Sequence, residues 1–330
     1  MHGILALSAL HLASLHPDRK REYTAQSARH QEVALSRLRT GLFDTTEENC
    51  FEHFILAYLV ILFTFYSIGN PLVDDDDNDD NDDDDDTSSP TTTNNNNNRR
   101  LRHRRHVPLS LHELGQTLFL GQGIFNTISS PETWTWLQRG PLAALFANAR
   151  HTTPTAANLP ADAAGTFPHR LARLAELVAR VGGSPVESRA RASCMVAVDA
   201  LRRAFGVAVL GAGGRREASP VWVWLTLLPP DFREHVGREH PVALVVLAHY
   251  AAVVRCFGDR WYLAGWSERV LAAIEEALER RGAVGDGDGG GGDAGGERWG
   301  EWLEFPKAFG AAELDEAIRE SAERREQGVE

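Results

Sequence analysis

The sequence predicts an all-α protein, an irregular bundle of many helices interrupted by two disordered inserts. Apolar residues recur at helical spacing through most of the chain, for example from Leu171 to Val181. Capping patterns such as Ser110-x-x-Glu113 stand in front of several of these runs. Only the segment from Val221 to Leu228 is rich enough in β-branched and aromatic residues to suggest a strand. These three observations together favour a helical domain.

The chain opens on an apolar run, HGILALSALHLASLHP, from His2 to Pro17. A secretory signal needs a positive segment before its apolar part and a small-residue cleavage site after it. No lysine or arginine precedes this run, and Ser14-Leu15-His16 is a poor cleavage site. We therefore predict a core helix here. A second, amphipathic helix is predicted from Glu22 to Leu42, with Ala28 and Leu35 on its buried face.

A second apolar run extends from Phe54 to Ile68 and has 15 residues. A membrane-spanning helix needs about 20 residues. The capping-box pattern Thr45-x-x-Glu48 precedes the run, and Gly69-Asn70-Pro71 follows it, so both a helix start and a helix end are present. A helix that is apolar on all sides is typical of a protein core. We expect a buried helix and no association with a membrane, although a span through this run stays an alternative.

Two segments lack the apolar residues that a packed structure needs. Residues 73–106 form an Asp/Asn-rich and then Arg-rich insert, and residues 282–296 form a Gly-rich flexible loop. Residues 1–72 and 107–306 are then predicted to form one helical domain, followed by a polar tail at 307–330. Eleven aspartates lie within 74–86, so this run alone carries most of the net charge of -12. The remainder of the chain is therefore nearly neutral.

The motifs that could indicate catalysis or metal binding each lack a required residue. His112-Glu113-Leu114-Gly115-Gln116 resembles a zinc-protease helix, but glutamine stands where the second histidine ligand is needed. In the run from Val207 to Glu217, the third glycine of a dinucleotide loop is replaced by Arg216. The three cysteines are far apart and are expected to be reduced core thiols. We expect no enzyme, no cofactor and no metal site in this chain.

Two groups of stretches carry a resemblance to a known family. HGILALSALHLASLHP, YTAQSARHQEVALSRLR and TEENCFEHFILAYLVI form the first group, and PVALVVLAHYAAVVRCFGDRWYLAGWSERVLAAIEEAL with WLEFP forms the second. In this order they resemble the regulatory domain of fungal Zn2Cys6 transcription factors, and most of all the branch of sterol uptake control proteins. The resemblance covers residues 2–70 and 107–306.

The resemblance implies an all-α regulatory domain that controls transcription by RNA polymerase II in the nucleus. In the sterol branch an apolar ligand held between helices controls the domain. A sterol or another apolar molecule, transcriptional co-regulator proteins and a second copy of the chain are the implied partners. The alternative is a free-standing helical module that binds a lipid, a sterol or a protein and has no role in transcription.

This chain departs from the family in one respect that concerns DNA binding. The family reads DNA through six cysteines that hold two zinc ions, and no C-x-x-C occurs here. Zinc and DNA contacts are therefore expected only if a further N-terminal segment supplies them. The arginines of residues 99–106 are either a nuclear-localisation or phosphate-binding patch, or a solvated flank that neutralises the neighbouring aspartates.

A ligand pocket is predicted from large apolar side chains on neighbouring predicted helices. The side chains expected to line it are Tyr58, Phe65, Leu118, Phe125 and Trp134.

Overall fold

The computed structural model describes residues 1–41, 45–72, 108–118, 130–140, 143, 166–210, 216–285 and 299–327. All regular structure within these ranges is helical and none of it is strand, which confirms the predicted all-α class. Phe125, residues 73–106 and residues 286–296 lie outside the described residues.

The described residues form the following helices. In order they are α1 (His2–Leu15), a 3₁₀ turn (Pro17–Arg19), α2 (Lys20–Gly41), α3 (Cys50–Gly69), α4 (residues 111–118), α5 (Pro131–Arg139), α6 (Phe167–Arg180), α7 (Pro185–Leu210), α8 (Ser219–Leu227), α9 (Phe232–Gly237), α10 (Pro241–Arg255), α11 (Trp266–Gly285), α12 (Trp299–Ala308) and α13 (Ala311–Glu326). The described parts of residues 1–70 and 109–330 form one compact unit.

Helix α10 is the centre of the large unit. Its residues from Val242 to Val254 are all buried, and most of them are valine, alanine or leucine. Small side chains let neighbouring helices approach closely, and α7, α8, α9, α11 and α12 all pack against α10. A helix surrounded in this way is apolar on every side, as its sequence shows.

Helix α3 is apolar on every side because three groups of neighbours contact it. Ile61 and Phe65 belong to the main core, and Leu59, Leu62, Phe63 and Tyr66 pack with α1. Cys50, Ala57 and Val60 face α5. Within the described residues, α3 is the one helix long and apolar enough to cross a membrane by length and composition alone. The same composition serves a core helix.

Helices α1 and α2 form an antiparallel hairpin with a close contact between them. Gly3, Ala6, Ala9 and Ala13 are buried, and the Ser27 hydroxyl donates a hydrogen bond of 2.9 Å to the Ala6 carbonyl oxygen. The opposite face of α1 is exposed. Its apolar side chains are Met1, Ile4, Leu5, Leu12 and Leu15. The predicted core helix therefore has only one buried face.

Two local predictions in this region are wrong. Ala28 is exposed on α2, and the buried positions are Ser27 and Ala34, about two turns apart. Helix α3 begins at Cys50 with Asn49 as its N-cap, so the capping pattern at Thr45 does not start it. Instead, the Asn49 side chain accepts a hydrogen bond from the Thr46 backbone N–H.

The segment that could have been a strand is helix α8. Pro220 stands at its first turn, where a missing N–H costs nothing, and Trp224 buries its ring in the core. The predicted polar tail contains α13, whose Leu314 and Ile318 are buried in the main core. The predicted Gly-rich loop overlaps the end of α11, since that helix continues to Gly285.

Candidate pocket between helices

A pocket lies between helices α3, α4, α8 and α11. Its wall consists of Val60, Ile61, Thr64, Phe65, Ile68, Leu114, Thr117, Leu118, Leu225 and Trp266. The pocket measures about 330 Å³ together with its open mouth, and its enclosed part has room for about one water molecule. Its cavity volume of about 10 Å³ is far below the range of about 300–1,000 Å³ found for small-molecule sites.

An aromatic stack forms one side of this pocket. The rings of Phe65 and Trp266 are stacked, with 4.9 Å between their centroids. Trp222 meets Phe65 edge to face at 5.5 Å, and Tyr250 meets Trp266 edge to face at 5.7 Å. Such pairs fix the orientation of each ring and add stability beyond that of the buried area. The pocket wall is therefore rigid on this side.

Polar groups are few among the described lining residues of the pocket, and none of these side chains is charged. The Thr64 hydroxyl donates a hydrogen bond of 2.8 Å to the Val60 carbonyl oxygen, within its own helix. The indole Nε1 of Trp266 is buried and has no hydrogen-bond partner among the residues that the structure describes. A neutral, mainly apolar ligand suits such a site, because a charged ligand would lose its hydration without compensation.

The structure brings together two of the five side chains predicted to line a pocket. Phe65 and Leu118 both belong to the wall. Tyr58 packs edge to face on Trp222 at 5.4 Å, in the cluster that α1 and α3 share. Trp134 packs in a separate cluster with Leu137 of α5. Phe125 lies outside the described residues.

The pKa of the Tyr58 phenol is changed by the burial of its side chain. Burial, with a smaller contribution from Tyr262, raises the pKa of the Tyr58 phenol to about 12. The phenol is therefore neutral at physiological pH. Tyr58 contributes ring area at the rim of the aromatic cluster and no charge.

Trp266 and Leu225 are wall residues that the sequence did not single out as ligand contacts. Trp266 is the first residue of α11 and lies 201 positions after Phe65. The adjoining sequence, LAGW, indicates the start of a helix, but it does not indicate that Trp266 packs against Phe65. Helical spacing identifies the buried face of one helix, and it does not say which other helix covers that face.

Metal-ligating residues do not gather in the part of the chain that the structure describes. There, no group of three or more histidine, cysteine, aspartate or glutamate side chains could hold a metal ion. The Gln116 amide and the His112 ring nitrogen Nε2 are paired at 3.0 Å, in the place where a zinc-protease helix would have two histidines. The donor set does not fit zinc.

Comparison with known proteins gives one partial similarity. No family model and no solved structure matches the chain. Over 69 residues, the chain is 36% identical to the orsellinic acid/F9775 biosynthesis cluster protein D of Emericella nidulans. The match covers 19% of this chain and 14% of that protein, so the chain matches about a seventh of its relative's length.

The fold and the pocket define the class as an all-α protein with an apolar pocket between helices. The partial relative belongs to a fungal biosynthesis cluster, as its name says. The partial relative therefore agrees with the resemblance of the sequence to fungal regulators, and it agrees in the broad class of protein alone.

Proposed function

We propose that the chain is the regulatory domain of a fungal transcription regulator, and that it has no catalytic role. The observation that carries the proposal is the packing of the two stretches on which the sequence resemblance depends. Helix α3 of the first stretch lies against α11 of the second, in one unit with one core. The partial likeness to a protein of a fungal biosynthesis cluster supports the same class.

A ligand in the pocket would contact both stretches at once, because α3 and α11 each supply part of the wall. A ligand that binds only the packed form stabilises that form by about 2.7 kcal/mol at a hundred times its dissociation constant. Such a ligand would control whether the two stretches stay together. A sterol is the first class to test, since the resemblance is to the sterol uptake control branch, and quenching of tryptophan fluorescence by micromolar sterol would detect it.

We further propose that the protein acts in the nucleus with co-regulator proteins. Because the chain contains only three well-separated cysteines, it cannot itself form a zinc cluster held by six. Contacts with DNA would require an N-terminal segment beyond the present sequence.

A reporter experiment tests the regulatory role. Residues 1–330 are fused to a bacterial DNA-binding domain, and transcription from its operator is measured in fungal cells. We expect transcription to change several-fold relative to the DNA-binding domain alone. A matched fusion carrying Gly69→Ala, which disturbs the contact between α3 and α11, should lose the effect. An unchanged reporter, with the fusion expressed and in the nucleus, would contradict the proposal.

The second candidate is a free-standing helical module that binds a lipid, a sterol or a protein. The exposed apolar face of α1 favours it, since Ile4 and Leu15 are 57% and 59% exposed and the helix has no charged residue. Sequencing of the transcript upstream of Met1 separates the two candidates. A basic segment rich in C-x-x-C supports the transcription regulator.

A further inference from the structure

One face of helix α1 is apolar and open to solvent. Ile4 and Leu15 are 57% and 59% exposed, and Met1, Leu5 and Leu12 are exposed on the same side of the helix. The exposed parts of these five residues amount to almost three complete apolar residues. An apolar patch of this kind, about 300–600 Å² in area, often marks a functional contact on a monomer. This face of α1 is therefore a candidate contact surface.

The centre of the face is a small residue, Ser8, which is exposed. The Ser8 hydroxyl donates a hydrogen bond of 2.9 Å to the Ile4 carbonyl oxygen of the same helix. Covering Ser8 therefore leaves no hydroxyl donor unsatisfied, which would otherwise be unfavourable. A small side chain at the contact also lets a second helix approach closely. The centre of the face is suited to burial against another helix.

The large apolar side chains are placed evenly on both sides of Ser8. Ile4 and Leu12 are each four residues from it, and Met1 and Leu15 are each seven residues from it. In an antiparallel pair of α1 helices that cross at Ser8, Ile4 of each copy reaches Leu15 of the other copy. Such a contact is two-fold symmetric, because the same patch is used by both copies. Apolar side chains then meet along the whole face.

The charges in and near α1 favour a second copy of the chain over a lipid surface. Helix α1 contains no lysine, arginine, aspartate or glutamate, so two such faces meet without repulsion. Helices that lie on a membrane carry many lysines and arginines on their polar side. The three basic residues that follow α1 stand between Asp18 and Glu22, and Arg19 is paired with Glu22 at 2.8 Å. Little positive charge is left there to attract anionic lipids.

We propose that the chain forms a two-fold symmetric dimer through this face of α1, with the two α1 helices antiparallel and crossing at Ser8. The inference goes beyond the proposed regulatory function and does not depend on it. Two faces of this size bury about 1,000 Å² together, which is the lower limit for a specific interface between proteins. The dimer is therefore weak, and it forms and dissociates with the protein concentration.

Sedimentation equilibrium of the purified full chain measures this association. We expect the mass to rise with concentration from 36.4 kDa toward twice that value, with a Kd on the order of 10 μM. Ile4→Lys places an unpaired charge in the contact and should raise the Kd at least about tenfold. Val196→Lys is the matched control, since Val196 is 48% exposed on α7 and should keep the Kd of the parent chain. A monomer at all concentrations up to about 100 μM, or an equal effect of both variants, would overturn the proposal.

A mixture of two variants tests the antiparallel arrangement. In that arrangement the ammonium group introduced by Ile4→Lys in one copy lies beside the carboxylate introduced by Leu15→Glu in the other. The equimolar mixture should therefore dimerise at least about tenfold more tightly than Ile4→Lys alone, because opposite charges now meet. Circular dichroism confirms that both variants keep the helical fold. A mixture that associates no better than Ile4→Lys would overturn the antiparallel crossing.

A disulfide tests the position of the crossing with a change of one atom. Ser8→Cys should form a disulfide between two copies in oxidised glutathione, and the linked dimer is seen on a non-reducing gel. The three native cysteines are buried and should not be linked. Ser188→Cys, at an exposed position on α7, should stay monomeric. Equal linking of the two variants, or none of Ser8→Cys, would overturn the crossing at Ser8.

Lipid vesicles test the other possible occupant of this face. The chain should stay unbound when it is floated with vesicles of phosphatidylcholine and phosphatidylserine. A chain that binds these vesicles and sediments as a monomer without them would overturn the proposal. All of these measurements use purified protein and no transcription. Their failure therefore leaves the reporter result for the regulatory role standing, and the reverse also holds.

Discussion

The backbones of Gly69 and Gly265 meet where the end of α3 reaches the start of α11. A Cβ atom on Gly69 would lie 2.2 Å from the Ala264 carbonyl oxygen, and a Cβ atom on Gly265 would lie 2.6 Å from the Gly69 carbonyl oxygen. Gly265 also has φ +75°, a conformation that favours glycine. The same end of α3 is held by the Asn70 amide, which donates to the Ala264 carbonyl oxygen at 3.1 Å. This contact joins two segments almost 200 positions apart.

Adding one methyl group at this contact should destabilise the fold. We expect Gly69→Ala and Gly265→Ala each to lower the free energy of unfolding by about 1–3 kcal/mol, because the backbones must separate to admit the Cβ atom. Unfolding in urea, followed by circular dichroism, measures the change. Gly282→Ala on α11 is the control, since nothing lies within 4 Å of its Cβ position. There the substitution should raise stability by about 0.5–1 kcal/mol, and an equal loss at all three positions would contradict the contact.

The guanidinium of Arg269 stabilises the end of α3 from the neighbouring helix. It donates a hydrogen bond of 2.7 Å to the Ile68 carbonyl oxygen, one of the last carbonyls of α3, and burial lowers its pKa. Arg269→Met should cost about 1–3 kcal/mol, because it leaves that carbonyl without a charged donor. Arg319→Met removes an arginine that is 63% exposed and pairs with Glu316 at 3.7 Å. Its cost should stay below about 0.5 kcal/mol in the same urea titration.

Local features of the fold were predictable because they depend on neighbours in sequence. The Ser110 hydroxyl accepts from the Glu113 backbone N–H, as the capping pattern indicates, and Ser130 accepts from the Thr133 N–H in the same way. The end of the second apolar run at Gly69-Asn70 was also correct. Caps and stops involve residues three or four positions apart, and their chemistry is visible in the sequence.

The composition of the pocket was only partly predictable because it depends on which helices meet. Phe65 and Leu118 have helical spacing in their own segments and reach the pocket. Tyr58, on the same helix as Phe65, lies on the side that packs toward α1. Residues seven positions apart are about two turns apart and lie on nearly the same face of a helix. A small rotation of the helix therefore decides which cluster each of the two side chains joins. Trp266 enters through the contact between α3 and α11, which no local pattern contains.

Stability should depend on pH through His249, which is buried at the centre of α10. Burial lowers the pKa of its imidazole from 6.5 to about 4. The unfolded chain therefore takes up this proton near pH 6.5 and the folded chain only near pH 4, so stability is complete above pH 6.5 and falls as the pH drops toward 4. The loss due to this group is about 3 kcal/mol.

The variant His249→Phe tests this assignment, because phenylalanine keeps an aromatic ring at this position and has no group that titrates. The difference in unfolding free energy between pH 7 and pH 4.5 should shrink by about 2–3 kcal/mol relative to the parent chain. His16→Phe changes an exposed histidine and serves as the control. An equal pH dependence in the parent chain and in His249→Phe would show that other groups cause it.

All three thiols should be unreactive in the folded protein. Cys50, Cys194 and Cys256 are buried and free, and burial raises the pKa of the Cys194 and Cys256 thiols to about 12. Because the thiolate is the reactive form, Ellman's reagent at pH 8 should label none of them within minutes. In guanidinium chloride the same reagent should titrate three. Rapid labelling of one thiol without denaturant would mean that its helix is not packed as described.

The central claim is that α3, from the first apolar stretch, and α10 and α11, from the second, belong to one cooperative core. Native-state hydrogen exchange measures the opening free energy of each helix separately. We expect the slowest amides of α3 and of α10 to exchange through the same global unfolding event, with equal opening free energies and equal dependence on denaturant. Exchange of α3 at a much lower free energy, while α10 stays protected, would show that the two stretches do not form a single bundle.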